Sequence, residues 1–562
     1  MIIRNKDKFV QIALAATLAF GSFSCKDKLD VGNPNAPQID LNVNTESGLV
    51  SLAQGGVYIN GFYNGDGWLG NSYFSLPWGY NELLADNLGA DASNNQITTI
   101  GVPNYIIMDD GTKVSNASPS IGIIRSYNTR ASTGAGNNPI YYQWLNMYAL
   151  NNACNNVLSL VDNIKFSGDQ ASKAATVKAW CYWWKAYAYA SIGSMYYSGL
   201  IIDEVQPVGT KNPNYVLHDA ILAKSDEYFK LASTTIDAVS SESDYEAILG
   251  ELIPEFNQVG NGGVPTKAMW KRNINTMLAR NILLNKLSPF VKGNPAATIS
   301  KSSTSNMTTA DWNNVLTLSK AGIQKGDIVF TGRSTSNNYF FSATGGTAAA
   351  LTTGVNTSST FKISERFIQN FKTGDKRFTN NFGTATTYKN NFTFTTRYNV
   401  IDGGAGAAGV YVYGNKTVGA YELYIAGSYE ENTLMLAEAS MRLGDIETGL
   451  GYVDAVRTYM GAGLTAVAGT GLSLADALTE LVKERRVALI YRGLSFYDNR
   501  RWGWTYDIAN GGGSYGNTIV TSAGVVNKNV TINYNFLDYW DVPADESELN
   551  PSTGAATKNP NF

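Results

Sequence analysis

Apolar residues return every three to four positions through Leu150, Cys154, Val157, Val161 and Ile164, the stripe of one helix face. Val177, Cys181, Trp184, Ala188 and Ile192 repeat the pattern on the next segment, and Ile221, Ser225, Tyr228, Ala232 and Ile236 on a third. A fourth stretch runs from about Thr266 to Leu287, with turns at Gly168 and at Pro207 and Pro213. Short loops between amphipathic segments predict antiparallel helix pairs. The pattern resumes at Leu434–Leu443, turns at Gly444-Asp445 and continues over Leu450–Tyr459, a helical hairpin similar to half a tetratricopeptide unit.

Between these blocks the period is lost. Residues 295–420 are rich in Ser, Thr, Asn, Gly and aromatics, with short alternating runs such as Phe392-Thr393-Phe394-Thr395-Thr396, and predict loops and small hairpins. The tail from about 505 has the same character. The expected fold is therefore mainly α: helical hairpins at about 140–290 and 428–492, loop-rich regions at about 55–125 and 295–420, and an irregular C-terminal segment, 505–562.

Composition narrows the function. The 562 residues carry a formal net charge of −3, without the basic footprint that nucleic-acid binding needs. One histidine, His218, and three cysteines argue against zinc enzymes, histidine triads and disulfide scaffolds. Neither a cofactor nor a metal is expected. Cys154 and Cys181 fall on the stripes of neighbouring helices, as core thiols or, alternatively, as a disulfide across the hairpin. His218 opens a helix as a capping or surface residue. The 33 Tyr, 22 Phe and 11 Trp suggest aromatic faces for neutral polar ligands, sugars above all.

Candidate chemistry concentrates in one belt. Tyr58, Phe62, Tyr63, Trp68, Tyr73, Phe74, Trp78 and Tyr80 alternate with Gly and Asn, fitting neither helix nor strand for long. Flat rings on such loops stack against the C–H face of a pyranose while amides read its hydroxyls. Asn81, Asp86 and Asn87 would add hydrogen bonds, and Trp312 or Tyr339 would contribute from the middle region. For any single ring, a place in the core beneath the loops is an equal alternative. Gly404-Ala405-Gly406-Ala407-Ala408-Gly409 spells a dinucleotide motif, but it lies between strand-like runs at 397–401 and 410–413 without a following helix, and predicts a hairpin loop. Neither Asn64-Gly65-Asp66-Gly67 nor Asp109-Asp110-Gly111 has the ligand spacing of a calcium loop.

Two resemblances complete the picture. A basic start (Arg4, Lys6, Lys8), an uncharged run from Phe9 to Phe23, and Ser22-Phe23-Ser24-Cys25 resemble a bacterial lipoprotein signal. This implies a signal peptide over 1–24, a tether over 25–50 and lipidation of Cys25; ordinary cleavage with a free thiol is the alternative. Later, Glu484-Arg485-Arg486-Val487-Ala488-Leu489-Ile490-Tyr491-Arg492-Gly493 leads to Asp498-Asn499-Arg500-Arg501-Trp502-Gly503, and Val542-Pro543-Ala544-Asp545-Glu546 precedes a closing Asn559-Pro560-Asn561-Phe562. These resemble the SusD/RagB family, with Arg492 and Ala488 where it has acidic residues. The resemblance implies one SusD-like domain over 51–562, with tetratricopeptide-like hairpins and a loop face. It also implies an outer-membrane lipoprotein that binds glycan at the cell surface as a lid on a SusC-like TonB-dependent transporter, and cleaves nothing. A RagB-like lid for peptides is the alternative, and a glycoside hydrolase a more distant one. The arginines of the run are expected to be structural, paired to acids or carbonyls under Trp502.

Overall fold

The computed structural model describes residues 44–59, 75–90, 100–117, 128, 139–287, 307–332, 361–384 and 394–560, apart from 208, 416, 418, 419 and 421. Among these, the helices are α1 (Glu46–Gln54), α2 (Ser75–Leu84), α3 (Pro139–Leu160), α4 (Gln170–Met195), α5 (His218–Asp237), α6 (Glu242–Leu252), α7 (Lys267–Asn285), α8 (Thr309–Lys320), α9 (Glu365–Ile368), α10 (Lys376–Asn381), α11 (Tyr429–Arg442), α12 (Ile446–Tyr459), α13 (Leu474–Ala488), α14 (Ser495–Arg501) and α15 (Ala544–Leu549). The predicted helical pairs are all present: α3 packs on α4, α4 on α5, and α11 on α12.

Helix α4 is buried on nearly every side, which no single stripe announces. Trp180, Trp183, Trp184 and Trp270 surround Phe330, with ring centroids 5.2, 5.1, 6.1 and 5.3 Å from it. Lys185 is also inside, bonded to the Asn155 side chain, and burial pushes its ammonium down to about 8. Cys154 and Cys181 are buried free thiols, and burial pushes the Cys181 thiol up. His218 opens α5 and is half-buried, its ring lying flat on Tyr539 with centroids 3.8 Å apart.

The middle region departs from the expected run of loops. Helix α8 lies within it, started by a capping box in which Thr308 and Asp311 satisfy each other's backbone amides. Strands are short. β1 (Leu88–Ala90) pairs with β7 (Phe361–Ile363), β4 (Ser198–Gly199) with β5 (Val216–Leu217), β6 (Thr331–Gly332) with β10 (Leu423–Tyr424), and β8 (Phe382–Thr384) with β9 (Tyr398–Val400), all antiparallel. The tail is more regular than expected. β11 (Ser514–Val520) and β12 (Val526–Asn533) extend, in the order β11-β12-β2-β3, a sheet with β2 (Tyr105–Ile107) and β3 (Lys113–Ser115).

The glycine-rich run at 404–409 is a loop with no helix after it, as expected. Its second flank is not a strand, however: the Tyr411 amide bonds to the Met460 carbonyl, so 410–413 lies along the end of α12.

Candidate functional site

The described part of the aromatic belt is its root. Helix α2 ends in a turn where Asp86 takes a left-handed backbone (φ 53°), a conformation that Asp tolerates better than most residues. The turn is fixed from three directions. Arg366 of α9 grips the Asp86 carboxylate with two bonds of 2.8 Å, and the Tyr534 hydroxyl donates to the same group. Asn87 Oδ1 accepts from Arg486 at 2.6 Å, and its amide donates to Glu82 at 2.7 Å. The Asn499 amide holds the Ala85 carbonyl at 2.8 Å.

Glu82 is the least usual member of this group. It is fully buried and accepts from the Tyr491 amide, the Ser495 hydroxyl and Asn87. Burial pushes its carboxyl up to about 7, against the pull of those hydrogen bonds. Tyr491 has φ 61°, a strained value for a bulky residue. Glu82 thus ties α2 to a backbone kink in the arginine-rich run.

That run is an internal frame, as its composition suggested. Arg485 pairs with Asp498 at 2.9 Å, and Arg501 bridges Asp498 and Glu438 at 2.7 Å each. Arg500 donates to the carbonyls of Ser194, Asp538 and Leu284, joining α4, the tail and α7. Glu484 binds Arg377 at 2.6 Å and Arg457 at 2.9 Å. Burial works against the Glu484 and Glu438 carboxylates, but these guanidiniums hold both below the usual range. Arg501 lies over Trp502 at 5.2 Å.

The structure therefore corrects several expected ligand contacts. Asp86 and Asn87 are buried in the network above, with their polar atoms already engaged, so they brace the end of α2 and do not face a ligand. Tyr80 is packed in the core. Trp312 sits against Ala279, Leu283, Met435 and Ala439 in a small core cluster beneath Arg442, because its place on α8 turns it toward α7 and α11. Asn81 donates to the Gly493 carbonyl, 3.4 Å away, and also borders a recess of ≈ 60 Å³ beside Arg280, Arg492 and Tyr497. Trp68, Tyr73 and Tyr339 lie outside the described residues, as does Cys25. The backbone at Trp78 is in α2, but its side chain lies outside what is described.

One ring escaped sequence reading. Trp504 is half-buried beside Trp502, which was expected over the arginines and is also half-buried, with centroids 5.0 Å apart. Conversely, Trp144, Trp180, Trp183, Trp184, Trp270, Trp312 and Trp540, seven of the eleven tryptophans, are core. Aromatic content alone was thus a poor guide to ligand faces.

Comparisons with known proteins point one way. Residues 332–561 match the model of the SusD family. The fold is similar to that of a SusD superfamily protein from Bacteroides vulgatus (14% identity, 90% of this chain and 96% of the other, TM-score 0.53). It is also similar to that of a SusD superfamily protein from Bacteroides thetaiotaomicron (15%, 91% and 98%, TM-score 0.52). A third similar structure, from Bacteroides vulgatus, bears a name that proposes sugar binding (14%, 91% and 96%, TM-score 0.51). No protein of curated function matches the chain. The chain thus carries the SusD family pattern over residues 332–561 and a SusD-like helical fold across its described length.

Proposed function

We propose that this protein captures oligosaccharide or polysaccharide at the cell surface, held to the outer membrane by lipid on Cys25, and passes it to a SusC-like TonB-dependent transporter without cleaving it. The observation that carries the reading is the root of the aromatic belt. Trp68 and Tyr73 precede α2 in the chain and Trp78 lies within it, and the C-terminal end of α2 is fixed by a buried network of carboxylate, amide and guanidinium groups. A helix fixed in this way holds the adjoining part of the belt in place, which favours binding because less ordering is left to be done on capture. The neighbouring carboxylates, Glu82 and Asp86, are engaged inside the fold, so they do not form an acid–base pair at a glycosidic bond. The SusD-like fold and the name of the third similar structure support the same ligand class.

Calorimetry with glycan and peptide mixtures tests the ligand class, and chromatography of the recovered ligand tests cleavage. We expect dissociation constants of about 10⁻⁶ to 10⁻³ M for a glycan, because stacking and wet hydrogen bonds are offset by ordering costs. Trp68→Ala or Trp78→Ala should weaken that binding. Heat released only with peptides would favour the RagB-like alternative, and a shortened glycan would establish hydrolysis.

A further inference from the structure

The corner between α8, α11 and α12 holds a recess of ≈ 250 Å³ on the helical side of the molecule. Its wall is preformed. The Asn432 amide donates to the carbonyls of Ser319 and Ile323 at 2.9 and 3.0 Å, and Thr276 Oγ1 accepts the Ile323 amide at 2.9 Å. Gly322 permits this close approach, since a Cβ there would collide with both Asn432 and Thr276. The connection after α8 is thereby clamped between α7 and α11.

The lining is chemically one-sided. Lys320 and Lys325 reach the recess, and neither has an ion-pair partner among the described residues; no carboxylate lines it. Lys320 also complements the last turn of α8, whereas Lys325 has no such helix end to serve. Tyr429 and Tyr452 supply half-buried rings, and Lys325 Nζ stands 5.8 Å from the ring of Tyr459, which itself meets Tyr429 edge-on at 4.8 Å. At its base, Ser319 is 1% exposed and its hydroxyl has no hydrogen-bond partner.

We infer that this recess, lined by Ser319, Lys320, Gln324, Lys325, Tyr429 and Tyr452, is a second binding site, for a carboxylate-bearing pyranose residue of the uronic acid type. A ring face lies on tyrosine, and the carboxylate meets the lysines. A neutral hexose leaves both cations unanswered, and a bare phosphate has no use for the rings. The volume falls below the roughly 300–1,000 Å³ of sites for larger ligands, so it takes one sugar residue. The choice of a sugar rests on the glycan-binding reading, but no residue of the belt lines the site.

The test is calorimetry of the whole chain in detergent with trigalacturonate and with uncharged galactotriose, at two salt concentrations. We expect the acid to bind at least about ten-fold more tightly, with a preference that shrinks as salt rises. Lys320→Gln with Lys325→Gln should weaken trigalacturonate at least five-fold without changing the melting temperature, since both side chains are exposed. Tyr452→Ala should weaken it independently. Equal affinity for the two trisaccharides, or full retention by the double lysine variant, overturns the inference. If a neutral glycan still binds and is lost in Trp68→Ala or Trp78→Ala, only the second site fails. If no glycan binds at all, the glycan-binding reading fails with it.

Discussion

Two regions of this molecule treat charge in opposite ways. In the 484–501 run, Arg485, Arg500 and Arg501 are almost completely buried; Arg485 pairs with Asp498 of the same run, while Arg500 and Arg501 reach carbonyls and a carboxylate of distant segments. At the corner near residue 320, Lys320 and Lys325 are exposed and stand beside tyrosines, with no carboxylate among the described residues that line the recess. Arginine suits the first role, because its planar fork reaches two acceptors at once, while lysine suits the second as a solvated point charge. Buried charges reached from many segments specify one arrangement of those segments; exposed and unanswered ones remain free for a ligand.

The sharpest way to break this contrast is to remove one partner of a buried pair. Glu484→Gln leaves Arg377 and Arg457 facing a neutral group, and we expect a loss of about 3–5 kcal/mol in urea unfolding. A loss under about 1 kcal/mol would mean that the frame is dispensable. Asp86→Asn keeps an acceptor for Arg366 but removes its charge. We expect a smaller loss, about 2–3 kcal/mol, with faster proteolysis in the 55–75 region.

Glu82 sharpens the comparison through pH. Its folded-state value, about 7, lies above the ordinary 4.5, so between these values the folded chain holds a proton that the unfolded chain has released. The contribution of this group is fully present below about pH 4.5 and is lost as pH rises through about 7. That difference corresponds to roughly 3 kcal/mol. Glu82→Gln removes the dependence, so the stability gap between parent and variant should narrow from pH 5 to 8 in thermal melts. Glu438 and Glu484 work in the opposite sense. Their lowered values contribute stability above about 4.5 that is lost as pH falls through the folded-state values. At the exposed corner, the double lysine variant should change stability by less than about 0.5 kcal/mol.

The contrast also explains what could be read from the chain. The helical pairs α3–α4 and α11–α12 were legible because an apolar stripe survives wherever one face meets water. Helix α4 showed its stripe but not its burial on other sides, since the partners that take in Lys185 and Tyr189, the Asn155 side chain and the Ile202 carbonyl, come from other segments of chain. Helix α8 was hidden by polar composition, although the Thr308–Asp311 capping box was there to be seen. Asp86 and Asn87 read as ligand contacts because their partners, Arg366 and Arg486, lie hundreds of residues away. The two lysines of the corner carried no local signal, because their meaning depends on which acids are absent around them.

The most direct test of the central claim is electrophoresis of the whole chain, in mild detergent, through gels containing neutral polysaccharides, beside the Trp68→Ala and Trp78→Ala variants. We expect at least one polysaccharide to retard the parent chain, the variants to migrate faster than the parent, and the polymer to be recovered at its original length. Unretarded migration in every gel, or recovery of a shortened polymer, would contradict a protein that holds glycan without cutting it.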